Sequence, residues 1–154
     1  MGEQADELAR RCADAMWSED RASQGLGMVI DHVGAGSAQL SMTVRDDMVN
    51  GHGICHGGII FALADSAFAF ACNSFNQNTV AQHCTISFLA PARQGDRLEA
   101  RASKRTQAGR SGIYDVTVRD QAGTIVAEFR GFSRTIAGTL VPEGEIAEER
   151  QTNS

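Results

Sequence analysis

Past residue 27 the chain is built of short runs in which apolar and polar positions alternate. That period of two marks half-buried strands. Met28-Val29-Ile30 and Gln39-Leu40-Ser41-Met42-Thr43-Val44 flank Gly34-Ala35-Gly36, which reads as a hairpin turn. Four more strand-like runs lie downstream: Val80 to Leu89, Arg97 to Thr106, Gly112 to Arg119 and Thr124 to Ile136. Pro91 and Gly95 end the first of them, and Gln107-Ala108-Gly109-Arg110 and Asp120-Gln121-Ala122-Gly123 are turn-like separators. Between the two groups the pattern changes. From Gly58 to Asn73 the residues are apolar nearly all round a helix: Ile59, Ile60, Phe61, Leu63, Ala64, Ala67, Phe68, Phe70 and Ala71. A helix with no polar face must be enclosed. The N-terminal stretch predicts a shorter amphipathic helix, with Leu8, Cys12, Ala15 and Met16 on one face. This order predicts an α+β fold, one antiparallel sheet around one central helix, which would be enclosed more fully if a second subunit covers what the sheet leaves bare.

The length of 154 residues suits a single domain. Residues 1–141 are expected to form it; Pro142 to Ser154, polar and acidic without a period, reads as a flexible tail. The longest apolar stretch, Gly57 to Cys72, is interrupted by Asp65 and Ser66 and is short for a bilayer, so no membrane association is expected. The first residues carry mixed charges and no apolar signal core. A net charge of −5 disfavours nucleic acid as a partner, because phosphate contacts need a basic face. Cys12, Cys55, Cys72 and Cys84 include no C-x-x-C pair, and reduced thiols in the cytoplasm are the expectation.

Asp65 is the anomaly. A carboxylate among Leu63, Ala64, Ala67 and Phe68 must be partnered, protonated or turned toward a cavity. It could face a wet seam between subunits and pair there with a basic residue, or it could do chemistry. The residues before the helix, Asn50-Gly51-His52-Gly53-Ile54-Cys55-His56-Gly57-Gly58, bear on the choice. Two glycines at a helix start let a ligand approach the backbone, where first-turn N–H groups can hold an anion or an oxygen that becomes negative. The pair could equally make a tight turn and nothing more. Asp65 lies about 12 Å along the axis from Gly57, at 1.5 Å per residue, if the helix starts there. That is too far for both to act on one carbon within one chain. If they cooperate, Asp65 comes from a second subunit.

Other chemistry has less support. His52, Cys55 and His56 sit in one glycine-rich loop without a second ligand cluster, unless His83 and Cys84 are folded beside them, so no metal is expected. Cys55 and His56 are adjacent in an extended loop, where neighbouring side chains point apart, which disfavours a nucleophile–base pair. Ser66 lacks the G-x-S-x-G elbow, and no nucleotide-binding glycine loop is present. His32 and His83 lie in strand-like runs, where structural histidines are the default.

The segment from Asn50 through His56-Gly57-Gly58 to Leu63-Ala64-Asp65-Ser66 resembles the signature of hotdog-fold thioesterases of the phenylacetate-degradation type, known as PaaI. The similarity continues through Cys72-Asn73-Ser74, Cys84 to Leu89 and Phe129 to Ser133, and spans about Met48 to Gly138. An HGG directly before the helix with LAD at this distance is more specific than either part.

The resemblance implies a curved antiparallel sheet wrapped round one long helix, and hydrolysis of acyl-CoA thioesters, phenylacetyl-CoA or its ring-hydroxylated relatives among them. It implies that the Gly57 N–H polarises the thioester carbonyl and that Asp65 of a partner subunit is general base or nucleophile. His56 would place the thioester or leaving thiolate, Asn50 would orient substrate or water, and Ser66 would hold water. No cofactor is implied beyond the coenzyme A of the substrate, and the assembly implied is a homo-oligomer, a dimer of dimers with active sites at the dimer interface. An acidic protein must supply local positive charge to an anionic coenzyme. Arg93, Arg97, Lys104, Arg105 and Arg110 lie on or beside the later strands, and Arg110 with Ser111 and Gly112 is the candidate contact for its nucleotide end. Phe61, Phe68 and Phe88 could line the acyl pocket or be core. Two rivals keep the fold: an enoyl-CoA hydratase or dehydratase, disfavoured because no histidine is borne on the helix near Asp65, and a non-catalytic acyl-CoA binding module, disfavoured by the presence of the aspartate.

Overall fold

The computed structural model describes residues 2–143. Helix α1 (Gly2–Trp17) and a one-turn helix α2 (Arg21–Gly25) lead into a hairpin of β1 (Val29–Gly34) and β2 (Ser37–Thr43). A 3₁₀ turn (Asp46–Met48) precedes the central helix α3 (Gly57–Cys72). Strands β3 (Thr79–Phe88), β4 (Arg97–Ala108), β5 (Ser111–Arg119) and β6 (Ile125–Thr135) complete the fold. The six strands form one sheet in the order β1-β2-β4-β5-β6-β3, antiparallel throughout.

The alternation read from the sequence is what lays α3 on one face of this sheet. Leu40 and Met42 of β2, Leu98 and Ala100 of β4, Val116 and Val118 of β5, and Ala127 and Phe129 of β6 are buried. Against them α3 buries Ile60, Leu63, Ala64, Ala67, Phe68, Phe70 and Ala71. Phe68 settles at the centre, its ring 5.7 Å from Tyr114 and 5.9 Å from Phe129. It fits because residue 131 is glycine: a Cβ there would stand 2.7 Å from the ring.

The sheet does not enclose the helix entirely. Ala62, Asp65, Ser66 and Ala69 form a stripe along α3 that is only half-buried. Edge strand β3 is bare on much of its length, with Val80 45% and Phe88 52% exposed.

Helix α1 is present, but its buried face is turned from the predicted one. Ala9, Cys12 and Ala13 are buried, while Leu8 and Ala15 are half-exposed, because small residues let α1 lie close to β1. Trp17 closes the contact against Phe70, ring centroids 6.2 Å apart. The sequence reading missed α2, which is capped by Asp20 through the Ser23 N–H. His32 and His83 are exposed on their strands, and His83 lies against the Phe132 ring. At the C-terminal end Asn76, in the left-handed region at φ 57°, accepts from the Leu140 and Val141 amides and donates to the Val141 carbonyl. Of the expected tail, residues 144–154 lie outside the described residues.

Candidate active site

The loop before α3 is held by Asn50. Its Oδ1 accepts from the His52 N–H at 2.9 Å and the Ile54 N–H at 3.4 Å, while Gly53 at φ 74° returns its amide to the Asn50 carbonyl. The Cys55 and His56 amides bond to the carbonyls of Ala92 and Met48, so the entry to the helix is fixed from both sides. His56 is the N-cap, and its Nδ1 accepts from the Gly58 N–H at 2.9 Å. An amide can only donate, so Nδ1 carries the lone pair and a neutral ring bears its proton on Nε2.

The Ile59 and Ile60 amides turn back to the His56 carbonyl. The Gly57 N–H, a first-turn donor, has no partner among the described residues and stands at the positive end of the α3 dipole. It opens into a cleft of about 400 Å³ lined by Asn50, Ile54, Gly57, Ile60, Phe88 and Leu89. The Phe88 ring covers Gly57 so closely that a Cβ would meet it at 3.1 Å. The cleft is thus mostly apolar, with the Gly57 N–H in its wall.

Helix α3 does begin at Gly57, so Asp65 stands about 12 Å further along it at 1.5 Å per residue. Asp65 does not line the Gly57 cleft of its own chain. No basic side chain pairs with it among the described residues. Burial pushes its carboxyl above the usual carboxylate range, and the nearby charge of Asp20 adds to the shift. Ser66, next on the helix, lies with its Oγ 2.8 Å from the Oγ of buried Ser23, which itself lies 2.7 Å from Asp20 Oδ2.

The other candidates are dispersed. Arg110 and Ser111 are exposed in the β4–β5 turn, while Gly112 is buried, with Gln107 and Ser133 side chains packed over it. The Thr135 N–H bonds to the Arg110 carbonyl, and Thr135 pairs with Thr79 at the start of β3. The cleft lies at the other end of β3, about 30 Å away at 3.3 Å per residue. Within one chain the two do not meet. Arg97 is engaged by Asp31 and Ser41, and Lys104 lies over the Phe75 ring. Phe61 and Phe68 pack on Phe129 as core; Phe88 alone of the three borders the cleft.

Cys55 donates weakly to the His56 carbonyl rather than facing its ring, and burial raises its thiol, which is the opposite of an activated nucleophile. No three His, Cys, Asp or Glu side chains gather as a metal-binding group among the described residues. Nor is any helix there long and apolar enough to cross a membrane. Sequence reasoning missed Asp20 and Ser23; the D-x-x-S spacing of a helix cap was the available signal.

Comparison with known proteins decides the family. Residues 52–127 match the thioesterase superfamily, and the chain is 46% identical over 131 residues to the acyl-coenzyme A thioesterase PaaI of Escherichia coli, covering 85% of this chain and 94% of that one. The chain belongs to the thioesterase superfamily. It is a hotdog-fold thioesterase of the PaaI type. The solved Escherichia coli PaaI, from the phenylacetic acid degradation operon, superposes with a TM-score of 0.86 at 45% identity, over 87% of this chain and 97% of that one. A mutant phenylacetic acid degradation protein PaaI of Thermus thermophilus gives 0.73 at 37% identity, over 76% and 100%. A Streptococcus mutans protein bound to acetyl CoA gives 0.66 at 25% identity, over 68% and 85%. The predicted α+β hotdog fold is therefore the observed one.

Proposed function

We propose that this PaaI-type thioesterase hydrolyses phenylacetyl-CoA and its ring-hydroxylated relatives, in a site made by the Gly57 cleft of one subunit and Asp65 of another. The observation that carries this is the unpartnered Gly57 N–H in an apolar cleft, with the one uncompensated carboxylate of α3 too far along the same helix to reach it. The operon of the Escherichia coli relative supports the arylacetyl group, and Phe88 and Leu89 supply a matching apolar wall. The acetyl CoA in the streptococcal relative supports the coenzyme.

The thioester carbonyl oxygen accepts from Gly57 N–H, where the helix dipole favours the negative charge that develops there. Asp65 takes a proton from water as the water oxygen bonds to the carbonyl carbon, and the carbonyl electrons move to oxygen. The tetrahedral species re-forms its carbonyl and breaks the carbon–sulfur bond, and the departing sulfur takes the proton back from Asp65. The products are the free acid and coenzyme A, with no cofactor beyond the coenzyme the substrate brings. His56, with Nδ1 occupied, offers Nε2–H to the sulfur. Asn50 holds the loop that forms the cleft wall, and Ser66 positions the water. Arg110 and Ser111 serve the nucleotide end, from a neighbouring subunit rather than the chain whose cleft holds the acyl group.

The bare β3 edge and the half-buried stripe of α3 support a homodimer, assembled further into a dimer of dimers. Release of thiol from phenylacetyl-CoA by wild type and Asp65→Asn tests the reading. Loss of a positioned acid–base group lowers turnover by about 10²–10⁴-fold; rates within threefold of wild type would remove Asp65 from the mechanism. Hydration of an enoyl-CoA without thiol release would instead favour the hydratase.

A further inference from the structure

Asp20 and Ser23 belong to the α1–α2 region, upstream of the segment that carries the thioesterase signature, yet they end on the active-site helix. Ser23 is 2% exposed, and its hydroxyl has two oxygen neighbours, Asp20 Oδ2 at 2.7 Å and Ser66 Oγ at 2.8 Å. An ionised carboxylate only accepts, and a hydroxyl has one hydrogen to give. The Ser23 hydrogen therefore goes to Asp20. The Ser66 hydrogen must then go to Ser23, since two lone pairs facing each other at that distance repel. Asp20 cannot turn away, because its other oxygen accepts from the Ser23 N–H at 3.0 Å as the cap of α2. The chain of donors runs one way: Ser66 to Ser23 to Asp20.

We propose that Asp20 and Ser23 are positioning residues for hydrolysis: they consume the Ser66 proton, so that Ser66 presents a lone pair to the water beside Asp65. This rests on the reading of Asp65 as the catalytic carboxylate. Without Ser23, a helical serine would donate to a carbonyl one turn back or rotate freely. Neighbouring side chains on a helix diverge by about 100°, so Asp65 and Ser66 bracket a space along the stripe rather than touch. A water there gives one hydrogen to Asp65 and the other to Ser66. Its lone pairs then face outward, toward the second subunit's cleft. A Ser66 free to donate would instead give its hydrogen to the water oxygen, occupying a lone pair needed for attack.

Steady-state hydrolysis of phenylacetyl-CoA by a small variant set tests this. Ser23→Ala should lower kcat about tenfold, the rate equivalent of one hydrogen bond, and leave KM within twofold. Ser66→Ala should do the same, and the double variant should be no worse than Ser66→Ala alone, because both remove one interaction. Ser23→Thr restores the hydroxyl and should recover the rate. Asp20→Asn keeps a capping side chain but offers an amide donor to Ser23, which lets the chain reverse, and kcat should fall again. It also serves if Ser23→Ala fails to fold. Multiplicative losses in the double variant, or Ser23→Ala and Asp20→Asn both within twofold of wild type while Asp65→Asn is inactive, would overturn the relay. An active Asp65→Asn would overturn the underlying mechanism instead.

Discussion

Asp65 costs the fold something that the proposed chemistry requires. Burial and the charge of Asp20 both raise its carboxyl, so the ionised form is disfavoured in the folded protein. The sign follows from linkage. A carboxyl raised on folding favours the native state fully below its unfolded value, about 3.9, and that advantage is lost as pH rises through the folded value. Asp65→Asn should therefore raise the melting temperature at pH 7 and have less effect near pH 4, in thermal unfolding followed by circular dichroism. An unchanged or lower melting temperature at pH 7 would mean that Asp65 is stabilised by a partner in the assembled protein. The same shift places the acid limb of kcat/KM above the ordinary carboxylate range. The groups near this carboxylate are Asp20 from α2, Cys72 on α3 and Cys84 from β3, and only Asp20 adds a like charge to it. Asp20→Asn should move the limb to lower pH in a pH–rate profile.

At the scale of elements, two glycines hold α3 in place. Gly131 lets the Phe68 ring lie flat against β6, and Gly131→Ala should destabilise by ~1–3 kcal/mol, the usual cost of overpacking, in urea unfolding. Gly57 admits the Phe88 ring over the helix start; Gly57→Ala should push that ring aside and lower kcat/KM without lowering urea stability by as much. The elements themselves were legible. Strand alternation located five strands to within two residues, and the all-apolar α3 gave its own burial; β1, read as ending at Ile30, runs on to Gly34. What escaped was short or set by packing. Five-residue α2 has no hydrophobic period to read, so only its cap could announce it. The face of α1 was misread because Leu8 looks like an anchor, whereas Ala9 and Ala13 win by allowing close approach. Of the candidate site, the positions were legible: His56 directly before α3, Gly57 at its first residue and Asp65 about two turns on. The Ser66–Ser23 contact joins residues 43 apart and left no mark in either neighbourhood. Gly112, at the start of a strand run and a candidate contact for the nucleotide end, is roofed by Gln107 and Ser133.

For the whole molecule, a site divided between chains makes a demand that a site within one chain does not. Asp65→Asn and a cleft-blocking Gly57→Val, each inactive alone, should complement when co-expressed. In a two-fold dimer of the two, one site collects both lesions and the other none. Random pairing then returns about a quarter of wild-type activity. No recovery, with mixed dimers demonstrated by differential tags, would place both groups in one chain's site. The charge of −5 also matters at this scale: attraction of an anionic coenzyme depends on local arginines. Arg110→Glu should raise KM for the CoA thioester several-fold, an effect that shrinks when the substrate is a thioester lacking the nucleotide.

Burial raises all four thiols, Cys72 to about 12, and the Asp65 charge adds to Cys72 and Cys84. Since the thiolate is the reactive species, Cys12, Cys55 and Cys72, all buried, should react slowly with disulfide reagents at neutral pH, and part-buried Cys84 faster than they do. A colorimetric titration of liberated coenzyme A should therefore be read against an enzyme-only control that reports Cys84. A single cysteine introduced on the exposed β3 edge, with Cys84 of the same strand replaced by alanine, would be the preferred attachment point for a fluorophore, ready to report the approach of one subunit to another.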